Sequence, residues 1–400
     1  MRHRLLLILC LLLSPAFARA DLPGFTDWAQ VEAQARGQTV YWRAWAGDAQ
    51  VNRFIAWAAQ QMQARYGIEL RHVKEEDPGN VITAILADKA AGRDSGGRTD
   101  LVWINGANFA ALKQRHLLYG PFAQSLPNFR LVDTVAKPTT VRDFTIPTEG
   151  YESPWGMALL TFYWDSAKVP EPPRRLAELP NWAKSHPGRF TYPAPPDFTG
   201  TTFLKQALSL LIADPGLLQA APVQADFAAV TAPLWAWLDK LHPSLWRQGR
   251  AFPPNYPRLR QLVEDGEVTL AFAFNPAEAT SAIAQGLLPP SVRAFIPEEG
   301  SIGNTHFVAI PWNAANRAGA LVVANFLLSP EAQLRKAEPT LWGDPTVLAL
   351  DRLAPGDWAR FMVQQGAAMP AAKDMSRVLP EPHPDWAGRL ETEWRRRYAR

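Results

Sequence analysis

Residues 39–73 read TVYWRAWAGDAQVNRFIAWAAQQMQARYGIELRHV, and the order of hydrophobic patterns in them decides the fold class. TVYWRAW is a β-branched and aromatic run of strand length. Gly47 and Asp48 interrupt it, after which Val51, Phe54, Ile55, Ala58 and Met62 recur at helical spacing. Gly67 stops the helix, and IELRHV reads as a second strand. Strand, loop, helix, strand is the repeating unit of an α/β sheet.

The rest of the chain continues that theme. Asn80 is placed to cap the helical run VITAILADKAAG, and TDLVWI (99–104) is a third strand leading through Asn105 and Gly106 into the helical NFAALKQRHLL. The aromatic-rich GYESPWGMALLTFYWDSAKV (150–169) suits a crossover between two lobes, and the proline-dense stretch to residue 180 reads as a stiff connection. GRFTYPAP (188–195) reads as a strand, and FLKQALSLLIA as the helix after it. LRQLVEDGEVTLAFAFNPAEATSAIAQG gives helix, turn at Asp265 and Gly266, strand, and a helix entered through Asn275 and Pro276. NTHFVAIPWNAANRAGALVVANFLLSPEAQ gives a long strand and an amphipathic helix, and the tail from Pro345 is helical with proline breaks. There is no internal repeat. Ligands of such sheets sit beyond the carboxyl ends of strands, which puts Trp45, Gly47, Asp48, Asn105 and Asn108 on a binding rim.

Composition excludes several classes. With 400 residues, 47% of them hydrophobic and 20% charged, two lobes are expected and disorder is not. Residues 1–20 read as a signal peptide: basic MRHR, the apolar LLLILCLLL, and a small-x-small cleavage motif ending at Ala20. Cys10, the only cysteine, lies inside that apolar run, and Leu7-Ile8-Leu9 before it lack the small residues of a lipoprotein site, so a mature chain without disulfides is expected. Arg2, Arg4 and Arg19 leave with the leader, taking 41 basic residues to 38, equal to the 38 acidic ones. That balance removes the electrostatic footing for a nucleic-acid partner.

In this order, the VNRFIAWAAQQMQARYGIEL helix, the DLVWINGANF strand and loop, the SPWGMALLTFYWDSAKV crossover, DGEVTLAFAFNPAEA and the NTHFVAIPWNAANRAGALVVANFLLSPEAQ return resemble the type II solute-binding proteins of ABC importers. The resemblance spans nearly the whole chain after residue 20. It is nearest to the thiamine-, polyamine- and ferric-ion-binding group and within it to the Ynj-type subgroup, described as similar to thiamine-binding proteins. It implies an α/β, two-lobed type II periplasmic-binding-protein fold, each lobe a mostly parallel sheet flanked by helices, joined by hinge strands. Lobe 1 would comprise residues 21–155 plus 305–338, and lobe 2 residues 156–304 plus 339–400. Solute would be held in the cleft as the lobes close.

By matching position, the family's ligand loops fall on Trp45, Gly47 and Asp48; Asn105 and Asn108; Trp155 at the hinge; Asp197, Thr199, Gly200, Thr201 and Thr202; and Asn275 and Glu278. Each has a plainer reading. In PAPPDFTGTTFLKQ (193–206), Gly200, the threonine hydroxyls and free N–H groups at a helix start would suit an anion, yet Thr199 or Thr201 capping the helix explains the same residues. Family position favours ligand contact. Trp45 and Trp155 stand evenly between stacking on a flat or cationic solute and core packing, and Trp103 reads as core. Asp48, Glu152, Asp197 and Glu278 together would offer negative charge to a cation.

Catalytic readings find little. GRDSGGR (92–98) echoes a serine-protease run, but its place in a glycine-rich loop makes it a turn. The seven histidines are scattered, three of them before proline, without metal-ligand spacing, and no Tyr-Tyr pair stands where ferric-ion-binding relatives use adjacent tyrosines. No GxxxxGK[ST] run exists, so ATP hydrolysis would belong to a separate subunit. The expectation is a monomeric periplasmic receptor, without metal or cofactor, that hands a thiamine-like or amine-bearing solute to an ABC permease and its ATPase. A small phosphorylated or carboxylated solute is the alternative, and a secreted enzyme on the same fold is the alternative of another class.

Overall fold

The structure is a computed structural model, and it describes residues 23–76, 79–222, 226–362, 366 and 368–399. The expected signal peptide and its cleavage site at Ala20 lie outside the described residues.

In chain order the first elements are α1 (Trp28–Ala35), β1 (Thr39–Trp45), α2 (Ala49–Tyr66), β2 (Glu69–Glu75), α3 (Gly79–Ala90), β3 (Leu101–Ile104) and α4 (Ala107–Gln114). A hairpin of β4 (Arg142–Asp143) and β5 (Ile146–Pro147) precedes β6 (Glu152–Leu159) and β7 (Thr161–Asp165). Then come α5 (Leu179–Ser185), α6 (Phe198–Leu211), α7 (Phe227–Leu241), α8 (Tyr256–Glu264), β8 (Leu270–Ala273), α9 (Glu278–Ala284), β9 (Val292–Phe295) and β10 (Ser301–Ala309). The chain ends with α10 (Arg317–Leu327), α11 (Pro330–Ala337), α12 (Pro355–Met362), α13 (Ala372–Met375), β11 (Val378–Leu379) and α14 (Asp385–Tyr398).

The opening stretch folds as its pattern dictates. Val40, Trp42 and Ala44 of β1 are buried in alternation, and Val51, Phe54, Ile55, Ala58 and Met62 form the buried face of α2. Asp48 caps α2 by accepting from the Gln50 and Val51 N–H groups, and Gly67 ends it in the left-handed region at φ 65°.

Two sheets organise the molecule. The first runs β11-β10-β3-β1-β2, with β6 on β10; β1 is parallel to β2 and β3, while β10 runs antiparallel to β3 and β6. The second is β8-β7-β9, its central strand antiparallel to both neighbours. The first sheet is therefore mixed, with parallel pairs β1–β2, β1–β3 and β10–β11, and the second is antiparallel. The crossover is β6 and β7, which leave one sheet and enter the other at Leu160, whose N–H donates to Ile302 O at 2.9 Å.

Each sheet has its own core. Trp42, Phe54, Trp155, Phe326, Trp342 and Leu348 belong to the first; Phe162, Tyr192, Phe203, Trp237, Phe272, Trp386 and Trp394 belong to the second. No helix among the described residues is long and apolar enough to cross a membrane.

Three local expectations change. Of GRFTYPAP only Phe190 makes a ladder contact, a parallel bridge to Leu270, because Pro193, Pro195 and Pro196 bring no N–H to a sheet. Asn80 lies inside the first turn of α3 rather than before it. The helix expected at Phe203 starts at Phe198, so Thr199 to Thr202 are helical.

Candidate functional site

The β1–α2 loop meets the β8–α9 loop where the two cores approach each other, and the space between the cores is termed the gap. Arg260 of α8 bridges them: its Nη1 is 3.0 Å from Asp48 Oδ2 and 3.6 Å from Glu278 Oε1, and its Nε donates to Glu264 Oε1 at 2.8 Å. Beside it, Gln50 Nε2 donates to Ser281 Oγ at 2.9 Å and Asn275 Nδ2 to Trp342 O at 2.7 Å. Glu278 is only 8% exposed, and burial first, then the charge of Asp48, push its carboxyl up to about 7 while Arg260 pulls the other way.

An aromatic wall lies behind the β1–α2 loop. Trp45 meets Trp103 edge-on with centroids 6.4 Å apart, Trp103 meets His306 at 5.0 Å, and His306 stacks on Trp342 at 6.2 Å and 19°. Trp45, Trp103 and His306 are each partly exposed. Trp103, expected in the core, thus stands at its edge. Gly47 folds over Trp45 so closely that a Cβ there would come within 2.5 Å of the indole. Trp155 sits on the other side of Trp103: it is fully buried, ringed by Trp42, Phe54, Trp103 and Trp342, and its backbone oxygen accepts from Gln333. The hinge tryptophan is therefore a core residue rather than part of the wall, since its place in β6 turns the indole inward.

The opening of α6 is occupied by its own cap. Asp197 Oδ1 accepts from Thr199 N at 2.9 Å and Gly200 N at 3.0 Å, and Asp197 O accepts from Thr201 N at 2.8 Å. The expected free N–H groups are thus taken, and the cap is Asp197 rather than Thr199 or Thr201. Thr201 Oγ1 donates to Glu391 and Thr202 Oγ1 to Phe198 O. Gly200 is needed for chain packing, since a Cβ there would meet Pro193 O at 2.1 Å. Asp197 Oδ2 also accepts from Tyr256 N at 3.3 Å, which ties this segment to α8 and so to Arg260.

Two turns into α6, Lys205 reaches a third group of residues. Its ammonium lies 2.6 Å from Glu381 Oε2, 4.7 Å from the Phe144 ring centroid and 5.5 Å from that of Phe198. Phe144 packs against Gly106, whose N–H donates to Asp143 Oδ2 at 2.5 Å, so the turn at Asn105 and Gly106, with Asn108 in the first turn of α4 behind it, is tied to this hairpin. Asp143 Oδ1 and both carboxyl oxygens of Glu152 are buried without a hydrogen-bond partner among the described residues. Burial drives both carboxyls well above their ordinary range; Glu381 adds to the effect at Asp143, and Asp143 adds to it at Glu152.

Sequence reasoning placed the loops and missed the residues that join them: Arg260, Lys205, Glu381, Asp143 and Phe144. Arg260 and Lys205 lie about one and two turns inside α8 and α6, helices expected from the sequence though with later starts, and a charge on a helix that abuts a candidate loop is the signal available for them. GRDSGGR is a turn, with Gly92 and Gly96 at φ 66° and 63° and Gly97 N donating to Asn313 O at 2.8 Å. Among the described residues no group of three or more His, Cys, Asp or Glu is arranged to hold a metal ion.

Comparison with known proteins agrees with this architecture. A family model described as bacterial extracellular solute-binding protein matches residues 57–370. Protein YnjB of Escherichia coli (strain K12) is 48% identical over 373 residues, 93% of this chain and 94% of its own length. Among solved structures, the periplasmic binding protein AfuA of Actinobacillus pleuropneumoniae, with fructose-6-phosphate bound, has a TM-score of 0.64 at 14% identity, over 90% of this chain and 98% of that one. A putative spermidine/putrescine ABC transporter protein of Listeria monocytogenes gives 0.63 at 15%, over 89% and 98%. Iron-bound HitA of Pseudomonas aeruginosa gives 0.60 at 17%, over 89% and 98%. At such identities these structures share the fold.

Proposed function

The chain belongs to the family of bacterial extracellular solute-binding proteins, and we propose that it is the periplasmic receptor of an ABC importer for a small amine-bearing, thiamine-like solute. The solute would be held between the two cores and passed to a permease powered by a separate ATPase, with the receptor acting as a monomer and by capture rather than chemistry. The lobe partition that the cores support gives residues 21–155 and 305–338 to the first lobe, extended through Leu348, and most of the remainder to the second.

One observation carries the preference for an amine: carboxylates in the gap exceed their cations. Arg260 answers to Asp48, Glu264 and Glu278, Lys205 is paired with Glu381, and Asp143 and Glu152 have carboxyl oxygens with no protein partner among the described residues. A cation entering such a place gains from the carboxyls that share Arg260, and its charge would favour ionisation of Asp143 and Glu152, which burial otherwise holds toward their neutral forms. The wall of Trp45, Trp103 and His306 would add stacking for a flat or cationic ring. An anionic solute loses its main support, since Asp197 occupies the N–H groups it would have used. Of the named residues, Trp45, Gly47, Asp48, Asn275 and Glu278 are proposed to touch solute, with Asn105 and Asn108 at the far edge. Asp197, Thr199, Gly200, Thr201, Thr202 and Trp155 are assigned to support.

Isothermal titration with thiamine and spermidine beside fructose-6-phosphate tests the reading. Binding heat from at least one amine and none from the phosphate ester is expected. Binding of the ester with silence from the amines refutes it.

A further inference from the structure

Arg260 holds together groups that belong to opposite sides of the gap. Glu264 and Glu278 come from α8 and α9 beside the second core, while Asp48 comes from the start of α2 on the first. The Gln50–Ser281 bond at 2.9 Å and an Arg53 Nη2 to Gln285 Oε1 contact at 3.3 Å run along the same edge. Parting of the lobes would leave Arg260 its two neighbours and take Asp48 away, and their meeting would add a third carboxylate to one guanidinium.

We propose that Arg260 is the latch of the closed form and that the surplus of carboxylates around it links closure to proton uptake, so that the lobes close more fully as the pH falls. The proposal rests on the reading of this fold as a receptor that opens and closes, and it holds whichever solute is carried. The latch itself is a strong contact, a charge-assisted hydrogen bond at 3.0 Å between side chains no more than 20% exposed. The cost lies in the company it keeps. Glu278 faces Asp48 from α2, Tyr256, Arg260 and Glu264 from α8, and Tyr163 from β7. Of these only Arg260 is a cation, and it is shared.

The sign follows from the two forms. In the closed form burial and Asp48 raise Glu278 to about 7 from its ordinary 4.5, and opening, which removes Asp48 and admits water, would lower it toward that ordinary value. Closing between those values takes up a proton. Acid therefore favours the closed form, and that advantage is lost as pH rises through 7. A carboxyl lowered in this way on opening allows the closed-to-open ratio to change by up to about 10-fold between pH 8 and pH 5.5.

The experiment needs no solute. Cys10 is the only cysteine of the sequence, so Cys10→Ser with Gln63→Cys on α2 and Gln261→Cys on α8, both exposed, gives a clean pair for nitroxide labels across the gap. Double electron–electron resonance should show the short-distance population growing as pH falls from 8 to 5.5. Glu278→Gln should flatten that response while keeping the closed population, and Arg260→Gln should favour the long distance at both pH values. A distance distribution of wild-type Glu278 that ignores pH overturns the proposal, and so does a Glu278→Gln protein that keeps the full response. Either result leaves the solute reading standing, because that reading fails by titration and not by this measurement.

Discussion

Replacing Gly200 with alanine separates a glycine kept for ligand approach from one kept for packing. The third residue of α6 lies against the chain that enters the helix, and a Cβ there would stand 2.1 Å from Pro193 O, where real Cβ atoms essentially never come closer than 3.0 Å. The two must part by about 0.9 Å. The obstacle is backbone and cannot rotate away. Pro193 is also held, because Ala194 N donates to Pro253 O at 2.8 Å and Asp197 is fixed by the cap. Overpacking against a fixed wall costs about 1–3 kcal/mol, and disturbing the Asp197 cap adds about 1 kcal/mol. Alanine returns up to about 1 kcal/mol of helix propensity. The net loss is about 2 kcal/mol, or roughly 4–8 °C in Tm for a unit of this size. Gly388→Ala in α14 is the matched control: no atom lies within 4 Å of its Cβ, so alanine there should raise Tm slightly. Circular dichroism melts of both variants without solute decide the matter. A Gly200→Ala protein as stable as the parent refutes the packing argument and restores the glycine to a ligand's approach.

The two hinge-side tryptophans should part company: Trp155→Ala, in the core, should cost about 3–5 kcal/mol in urea unfolding, while Trp45→Ala should cost less and instead weaken binding of any flat amine found by titration. Lys336 is wholly buried against the Asp344 carboxylate, which also contacts His306 Nε2 at 3.0 Å. Lys336→Met should destabilise by about 3–5 kcal/mol by stranding that carboxylate, and adding Asp344→Asn should recover part of the loss in the same urea measurement. Glu152 has a carboxyl raised by burial, so the stability it lends is present at low pH and lost as pH rises through the folded value. Glu152→Gln stays neutral throughout, and its Tm should exceed the parent's more at pH 8 than at pH 5.

What could be read from the chain divides by range. Local patterns were sufficient for β1, α2 and β2, because burial in alternation and at helical spacing is written in neighbouring residues. They were also sufficient to place the strand-to-helix turns at Gly47–Asp48, Asn105–Gly106 and Asn275–Pro276. Long-range partners were not legible. Asp48 and Arg260 are 212 positions apart, and Lys205 and Glu381 are 176 apart, so no window of sequence contains either pair. Trp155 misled for the same reason. A tryptophan in a crossover strand is consistent with cleft or core, and only the tertiary positions of Trp42, Phe54 and Trp342 turn it inward.

The start of α6 shows why a helix N-terminus in sequence says little about a ligand's charge. Its N–H groups attract negative charge from any source, and a carboxylate two or three residues upstream, as Asp197 is here, is already at hand, whereas a solute must be bound from dilute solution. Asp197 takes Thr199 N and Gly200 N at once. Having done so it adds its own negative charge to the gap and, through Tyr256 N, sits on the helix that carries Arg260. A run that looked suited to an anion therefore supplies one. On the proposed reading it joins Asp48 and Glu278 in favouring a cation, and these three would resist a phosphate or carboxylate unless Arg260 were first released from Asp48.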